Sequence, residues 1–217
     1  MQISIEQAMQ MPDAALFAQK LDSALKAEQK KRRHFYKIVE ENKKMEFING
    51  EIVFHSPVKL QHNRATVLLA KLLDTFVSKH KLGVVGVEKL LISLTRNDYE
   101  PDICFFSSEK SRKFKRNQMQ FPAPDFVVEV LSDSTEKNDR ETKFQDYAAH
   151  GVQEYWIIDA EKQTVEQYFL QNERYDLLLK SKSGEINSVV LPDFKIPIRS
   201  VFDETENVKT LTDLVNE

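Results

Sequence analysis

The sequence predicts a mixed α/β domain, a mixed β-sheet flanked by helices, with a helical addition at its N-terminus. Three observations carry this. Two apolar runs, 126–131 and 155–158, enclose an amphipathic stretch at 136–149, and a strand–helix–strand unit of this kind makes a parallel pair. Antiparallel signals stand on either side: Asn49-Gly50 between two apolar tetrads, and alternation of polar and apolar residues over 164–170 and 174–179. Between them, residues 60–80 carry apolar positions at helical spacing.

Taken in order, residues 1–33 are rich in Ala, Gln, Lys and Glu. Ile5, Met9, Leu16, Phe17, Leu21 and Leu25 recur at mixed helical spacing, which predicts two helices broken near Pro12, an accessory element that covers the core or, as the alternative, serves dimerisation. Asn49-Gly50 is the pair favoured in a tight type I′ turn, so 45–48 and 51–54 read as a hairpin. Val67, Leu68, Leu72, Leu73 and Phe76 give helix 60–80 its apolar face, and Gly83 follows its end. Residues 84–94 read as one strand bent at Gly86, 95–100 as a polar turn, and 103–106 as a short strand.

Pro122 and Pro124 form a rigid entry to the run 126–131, whose almost unbroken apolar character suits a central strand buried on both faces. Helix 136–149 turns Phe144, Tyr147 and Ala148 inward and stops at Gly151. A last short strand is expected around Val189-Val190. The chain divides into a helical extension at 1–33, an α/β domain at 34–202 and an acidic C-terminal tail at 203–217.

The 217 residues are 41% hydrophobic and 30% charged, with 5 glycines and 7 prolines, which excludes a disordered or collagen-like chain. Cys104 is the single cysteine, so neither a disulfide scaffold nor a cysteine-based zinc site is available. There is no basic segment followed by an apolar stretch at the start and no run of 18 apolar residues, so a cytoplasmic protein without a membrane span is expected. The formal net charge of -3 gives no global field for a polyanion. Locally, Lys110, Arg112, Lys113, Lys115 and Arg116 place five cations within seven residues, either a solvated loop or a grip on phosphates.

Glu129 is the most informative residue, because it interrupts a strand that otherwise reads as core. A buried carboxylate must be compensated by a cation, a metal or exposure at a strand end. Asp102, after Pro101 at the mouth of strand 103–106, is either a turn residue or a second acid in the same setting. Two carboxylates at one end of a sheet can chelate Mg²⁺, and a lysine beside them can orient water or offset charge on phosphate. Asp139 and Lys143 are four apart, so a simple helix salt bridge also accounts for them.

At this point the chain resembles a known family. Pro101-Asp102, the segment from Pro122 to Ser132 containing Asp125-Phe126-Val127-Val128-Glu129-Val130-Leu131, and Gly151-Val152-Gln153-Glu154-Tyr155-Trp156-Ile157-Ile158-Asp159 are similar to the Uma2 family of restriction-endonuclease-like proteins. Glu46 with Asn49-Gly50-Glu51-Ile52-Val53, then Ser56-Pro57 and His62, match that family's opening, and the likeness runs from about residue 34 to about residue 202. The family belongs to the PD-(D/E)xK nuclease superfamily, so the resemblance implies a restriction-endonuclease-like mixed sheet flanked by helices.

The resemblance further implies that Asp102 and Glu129 bind Mg²⁺ or Mn²⁺, with Glu46 as an additional acid that helps hold metal or water. The superfamily's motif lysine would stand at 131, where this chain has Leu131. Within the family a lysine of the following helix is thought to substitute, and Lys143 matches it. His62 would line the cleft, contacting phosphate or orienting Glu46, or be a surface residue at a helix start. Asp133 stands where many relatives carry proline, and Tyr147 and Trp156 read as packing anchors.

The implied activity is metal-dependent phosphodiester hydrolysis, as an endonuclease acting on DNA, with the basic loop at 110–116 on the backbone. A symmetric homodimer is the economical design for cutting both strands. Two alternatives stand beside it: a non-catalytic nucleic-acid- or protein-binding module on the same fold, and a hydrolase of another phosphate ester. A long open groove marks the nuclease and a small closed pocket marks the last.

Overall fold

The computed structural model describes residues 4–39 and 44–216. Helix α1 (Ile5–Met9) opens with a capping box in which Ser4 and Gln7 satisfy each other's backbone N–H. Helix α2 (Ala14–Ile38) follows, so the break near Pro12 falls where the sequence puts it. Its length differs from the expectation: α2 runs on to Ile38, and Phe35 is its one buried residue. Leu16, Phe17, Leu21 and Leu25 stay exposed, so the first half of α2 does not cover the core. The second half is fastened by Arg32, which bonds both oxygens of Asp98 at 2.6 and 2.9 Å and the carbonyls of Leu94, Thr95 and Asn97.

The hairpin β1 (Met45–Ile48) and β2 (Glu51–Phe54) turns through Asn49 and Gly50. Both have positive φ, 50° and 84°, as a type I′ turn requires. Helix α3 (Leu60–His80) covers the expected residues and ends on Lys81 in the left-handed region. The stretch 84–94 is not one strand. It divides into β3 (Gly83–Val87) and β4 (Leu91–Ser93), which join different sheets. Glu88 and Lys89 both take positive φ between them, and Leu90 folds back so closely that a Cβ on Gly86 would meet its side chain at 2.2 Å. The expected turn at 95–100 holds the two-residue strand β5 (Asp98–Tyr99).

Strand β6 (Ile103–Ser107) leads into the short helix α4 (Ser108–Ser111), and β7 (Gln120–Phe121) precedes β8 (Phe126–Val130). The helix after β8 opens at Glu136, passes through a π-helical turn, Asn138–Thr142, and continues as α5 (Lys143–Ala149). Then come β9 (Glu154–Asp159), the ribbon β10 (Thr164–Gln171) and β11 (Arg174–Ser181), and the small pair β12 (Glu185–Asn187) and β13 (Lys195–Pro197). The segment Val189-Val190 is not a strand: both its N–H groups, at 2.9 Å, and the Ser188 hydroxyl donate to buried Glu154, which bends the chain out of any ladder. The acidic stretch 203–217 contains helix α6 (Glu204–Asn216), and Asn207 anchors it through the carbonyl of Leu68 on α3 at 2.9 Å.

The main sheet runs β11-β10-β9-β8-β6-β3, and β8 and β9 are parallel, as the strand–helix–strand unit predicts. A second sheet runs β2-β1-β5-β4-β7. Alternation along β8 divides the interior into two cores. Phe126, Val128 and Val130 face α3 and join Leu69, Leu72, Leu73, Phe76 and Trp156. Val127 faces the other way, with Cys104, Tyr147, Tyr155 and Ile92. Trp156 is fully buried, 5.0 Å from the Phe126 ring, and its indole N–H reaches Glu154 at 2.7 Å, so it is the anchor its position suggests. By the same period of two, Glu129 lies on the face of Val127, toward α5 and the second sheet.

Among the described residues, no helix is long and apolar enough to cross a membrane.

Candidate active site

Four carboxylates and two lysines meet where the two sheets face each other. Glu46 comes from β1, Asp102 from the head of β6, Glu129 from the tail of β8, and Asp139 and Lys143 from the π-helical turn and α5. Each of these five side chains belongs to a residue no more than 4% exposed, so their charges act with little solvent screening. The Lys143 ammonium lies 3.0 Å from Glu46, 3.1 Å from Glu129 and 3.1 Å from Asp139. It also faces the Tyr99 ring at 5.8 Å.

The remaining contacts separate the acids. Glu46 Oε1 accepts the backbone N–H of Glu100 at 2.9 Å, and its Oε2 stands 3.0 Å from His55 Nε2, a close contact without hydrogen-bond alignment. Asp102 Oδ1 accepts from Lys44 at 2.9 Å and Oδ2 from the N–H of Val130 at 2.8 Å. His62 Nε2 is 3.4 Å from the same Oδ2, and its Nδ1 is buried without a partner.

These surroundings pull the four carboxyls in opposite directions. Burial alone would raise Glu46, but Lys143 and His55 lower it to about 2. Burial is likewise outweighed at Asp102, where His62, Lys44 and the Val130 N–H hold the acid well below the usual carboxylate range. At Glu129 burial prevails over Lys143, helped by Asp139, Asp102 and Glu46, and the carboxyl is pushed well up. Asp139 is raised for the same reason, burial first. Burial would lower Lys143, yet Asp139, Glu129 and Glu46 raise it well above an ordinary lysine.

The structure thus brings together Asp102, Glu129, Lys143, Glu46 and His62. The leucine at 131 lines the adjoining cleft, while the ammonium of Lys143 reaches the strand carboxylate from the helix. His62 is buried in the first turn of α3, not a surface residue, and it faces Asp102; the histidine beside Glu46 is His55. The simple Asp139–Lys143 helix pair is one contact of three. Lys44 and His55 escaped the sequence reading. The signal for Lys44 was the period of two that places it on the face of Glu46, and His55 lies across the hairpin from it, its N–H on the Lys44 carbonyl at 3.2 Å.

The basic loop is not brought to this cluster. It follows the far end of β6, about 17 Å from Asp102 at ~3.3 Å per residue. Lys110 pairs there with Asp125 at 2.9 Å, at the start of β8.

A cavity of about 30 Å³ lies against Asp102, Glu129, Asp139, Lys143, Lys44 and His62. It adjoins a cleft of about 200 Å³ bordered by Ser56, Lys59, His62, Leu131, Ser132 and Lys162. Both rim lysines are paired, Lys59 with Asp133 and Lys162 with Asp159, each at 2.9 Å. The donors suit a hard cation, since the acids offer oxygen and Asp139 Oδ1 is buried without an aligned hydrogen bond. Among the described residues no three His, Cys, Asp or Glu side chains converge as a ready ligand set, because ammonium groups stand between the acids. A fit therefore means Asp102 and Glu129 with water or phosphate oxygens completing the shell, the manner in which Mg²⁺ is commonly held.

The mixed sheet flanked by helices, with acids at strand ends and a lysine on the helix that follows β8, is a nuclease-like α/β fold. The crystal structure of a putative nuclease belonging to DUF820 from Anabaena variabilis ATCC 29413 superposes with a TM-score of 0.67 at 20% identity, over 82% of this chain and 96% of that one. An uncharacterized protein, sll1609, of Synechocystis sp. (strain ATCC 27184 / PCC 6803 / Kazusa) is 33% identical over 148 residues, covering 66% of this chain and 82% of the relative. Residues 32–199 match the family Uma2, described as putative restriction endonuclease, and the chain belongs to that family.

Proposed function

We propose that this protein is a Mg²⁺- or Mn²⁺-dependent endonuclease that hydrolyses phosphodiester bonds in DNA, acting in the cytoplasm. The observation that carries the reading is the buried lysine, Lys143, touching three carboxylates beside a fourth that is held ionised. Asp102 and Glu129 would hold the metal, which when bound supplies a water of lowered pKa and polarises a phosphoryl oxygen. Lys143 is aimed by Glu46, Glu129 and Asp139, so its ammonium is preorganised to offset charge on the phosphate. The Glu100 N–H and His55 in turn fix Glu46. His62 steadies Asp102 and borders the cleft by which a phosphate would approach.

The basic loop at 110–116 is proposed to add affinity for the backbone away from the cut, and a homodimer to match two sites to two strands. The second reading, a non-catalytic binding module, is favoured by one observation: Lys143 is 2% exposed and already satisfied by acids. Calorimetric titration with Mn²⁺ and plasmid cleavage, on the native chain and on Glu129→Gln, separate the two. Binding and nicking that both fail in the variant support the nuclease; a native chain that neither binds nor nicks at millimolar metal leaves the binding module.

A further inference from the structure

We propose that Lys44 is a resident counter-ion at the metal position: its ammonium holds Asp102 Oδ1 in the metal-free protein and yields that oxygen to the incoming divalent cation. This rests on the metal-dependent reading above. The two oxygens of Asp102 have different partners. Oδ2 accepts the Val130 N–H at 2.8 Å and faces His62 at 3.4 Å. Oδ1 is therefore the oxygen open to a metal, and Lys44 covers it at 2.9 Å.

The two lysines of the cluster are built differently. Lys143 also borders the small cavity, but its side chain is 2% exposed and its ammonium is held by three carboxylates. The Lys44 side chain is 19% exposed and borders the small cavity. Its carbonyl is tied to the His55 N–H, so the backbone can stay while the four-carbon stem swings. Exchange of a monovalent for a divalent cation also keeps the buried acids compensated throughout, where arrival of a metal with both lysines in place would crowd like charges. Lys44 is thus a positioning residue, holding Asp102 Oδ1 in place until metal arrives.

The test measures Mn²⁺ alone, by calorimetry, on the native chain, Lys44→Met and Lys44→Arg. Lys44→Met should tighten binding about tenfold, the factor for removing one competing charge-assisted hydrogen bond. Lys44→Arg should weaken it, because a guanidinium grips the carboxylate with two donors. A third measurement needs no variant: acylation of Lys44 by an amine-reactive ester, followed by mass spectrometry, should rise several-fold on adding Mn²⁺. Unchanged or weaker affinity in Lys44→Met, or labelling of Lys44 indifferent to metal, overturns the assignment while the metal reading stands. Absence of Mn²⁺ binding by the native chain overturns both.

Discussion

Asp102 accepts the backbone N–H of Val130 at 2.8 Å, so the acid at the head of β6 is fixed to the tail of the neighbouring strand, next to Glu129. The two sheet acids are thereby set by the ladder between β6 and β8, where Ile103 pairs with Val128, and not by loop conformation. The chemistry proposed for the pair makes their substitution informative.

Glu129→Gln removes a carboxyl whose ionisation is opposed by burial while keeping its shape. The variant should fold with a thermal midpoint equal to or above that of the native chain, and its nicking rate should fall by about 10²-fold or more. Circular dichroism melting and a plasmid assay check the two halves separately.

Lys143→Met strands three acids in a site that is almost closed to solvent. Breaking a buried pair from one side costs about 3–5 kcal/mol. Urea unfolding at neutral pH should show that loss, and it should shrink in mild acid as the stranded carboxyls take up protons.

Stability should vary with pH in two opposing windows. Glu46 and Asp102 have folded-state pKa values depressed by their partners, so their contribution is present above the ordinary carboxylate range and is lost as pH falls toward about 2. Glu129 and Asp139 are raised, so the folded state holds their protons longer than the unfolded chain does, and stability declines as pH climbs above their unfolded values, 3.8 for Asp139 and 4.5 for Glu129. Unfolding free energy should therefore peak in mild acid. The decline toward pH 8 should be smaller in Glu129→Gln, measured by urea titration across pH.

Neutralising Arg112, Lys113, Lys115 and Arg116 together should raise KM for DNA and leave kcat unchanged, because the loop leaves the far end of β6. Steady-state cleavage at two salt concentrations checks this, and a loss of kcat would count against the placement of the loop away from the reaction.

Much of the frame was legible because single-residue rules dominate there. Asn49-Gly50 has one comfortable turn, the run 126–130 can only be a central strand, and 60–80 has a continuous apolar face. The split after Val87 was hidden, since two left-handed residues, Glu88 and Lys89, carry none of the usual glycine signals. Val189-Val190 has strand composition, and what overrides it is Glu154, a residue far away in sequence. In the site, Glu129 announced itself as an acid in an apolar run. Lys44 did not, because a lysine of a Lys-Lys pair ahead of a strand reads as surface until its partner is known.

The cluster draws on both sheets: Glu46 arrives with β1, Asp102 and Glu129 with the other sheet, and Lys143 with the helix that returns from β8. No segment shorter than the one from Glu46 to Lys143 contains the set, since these two residues bound it. A partly made or partly unfolded copy therefore holds scattered acids without their common ammonium. The complete cluster therefore exists only where the fold sets the two sheets and helix α5 together.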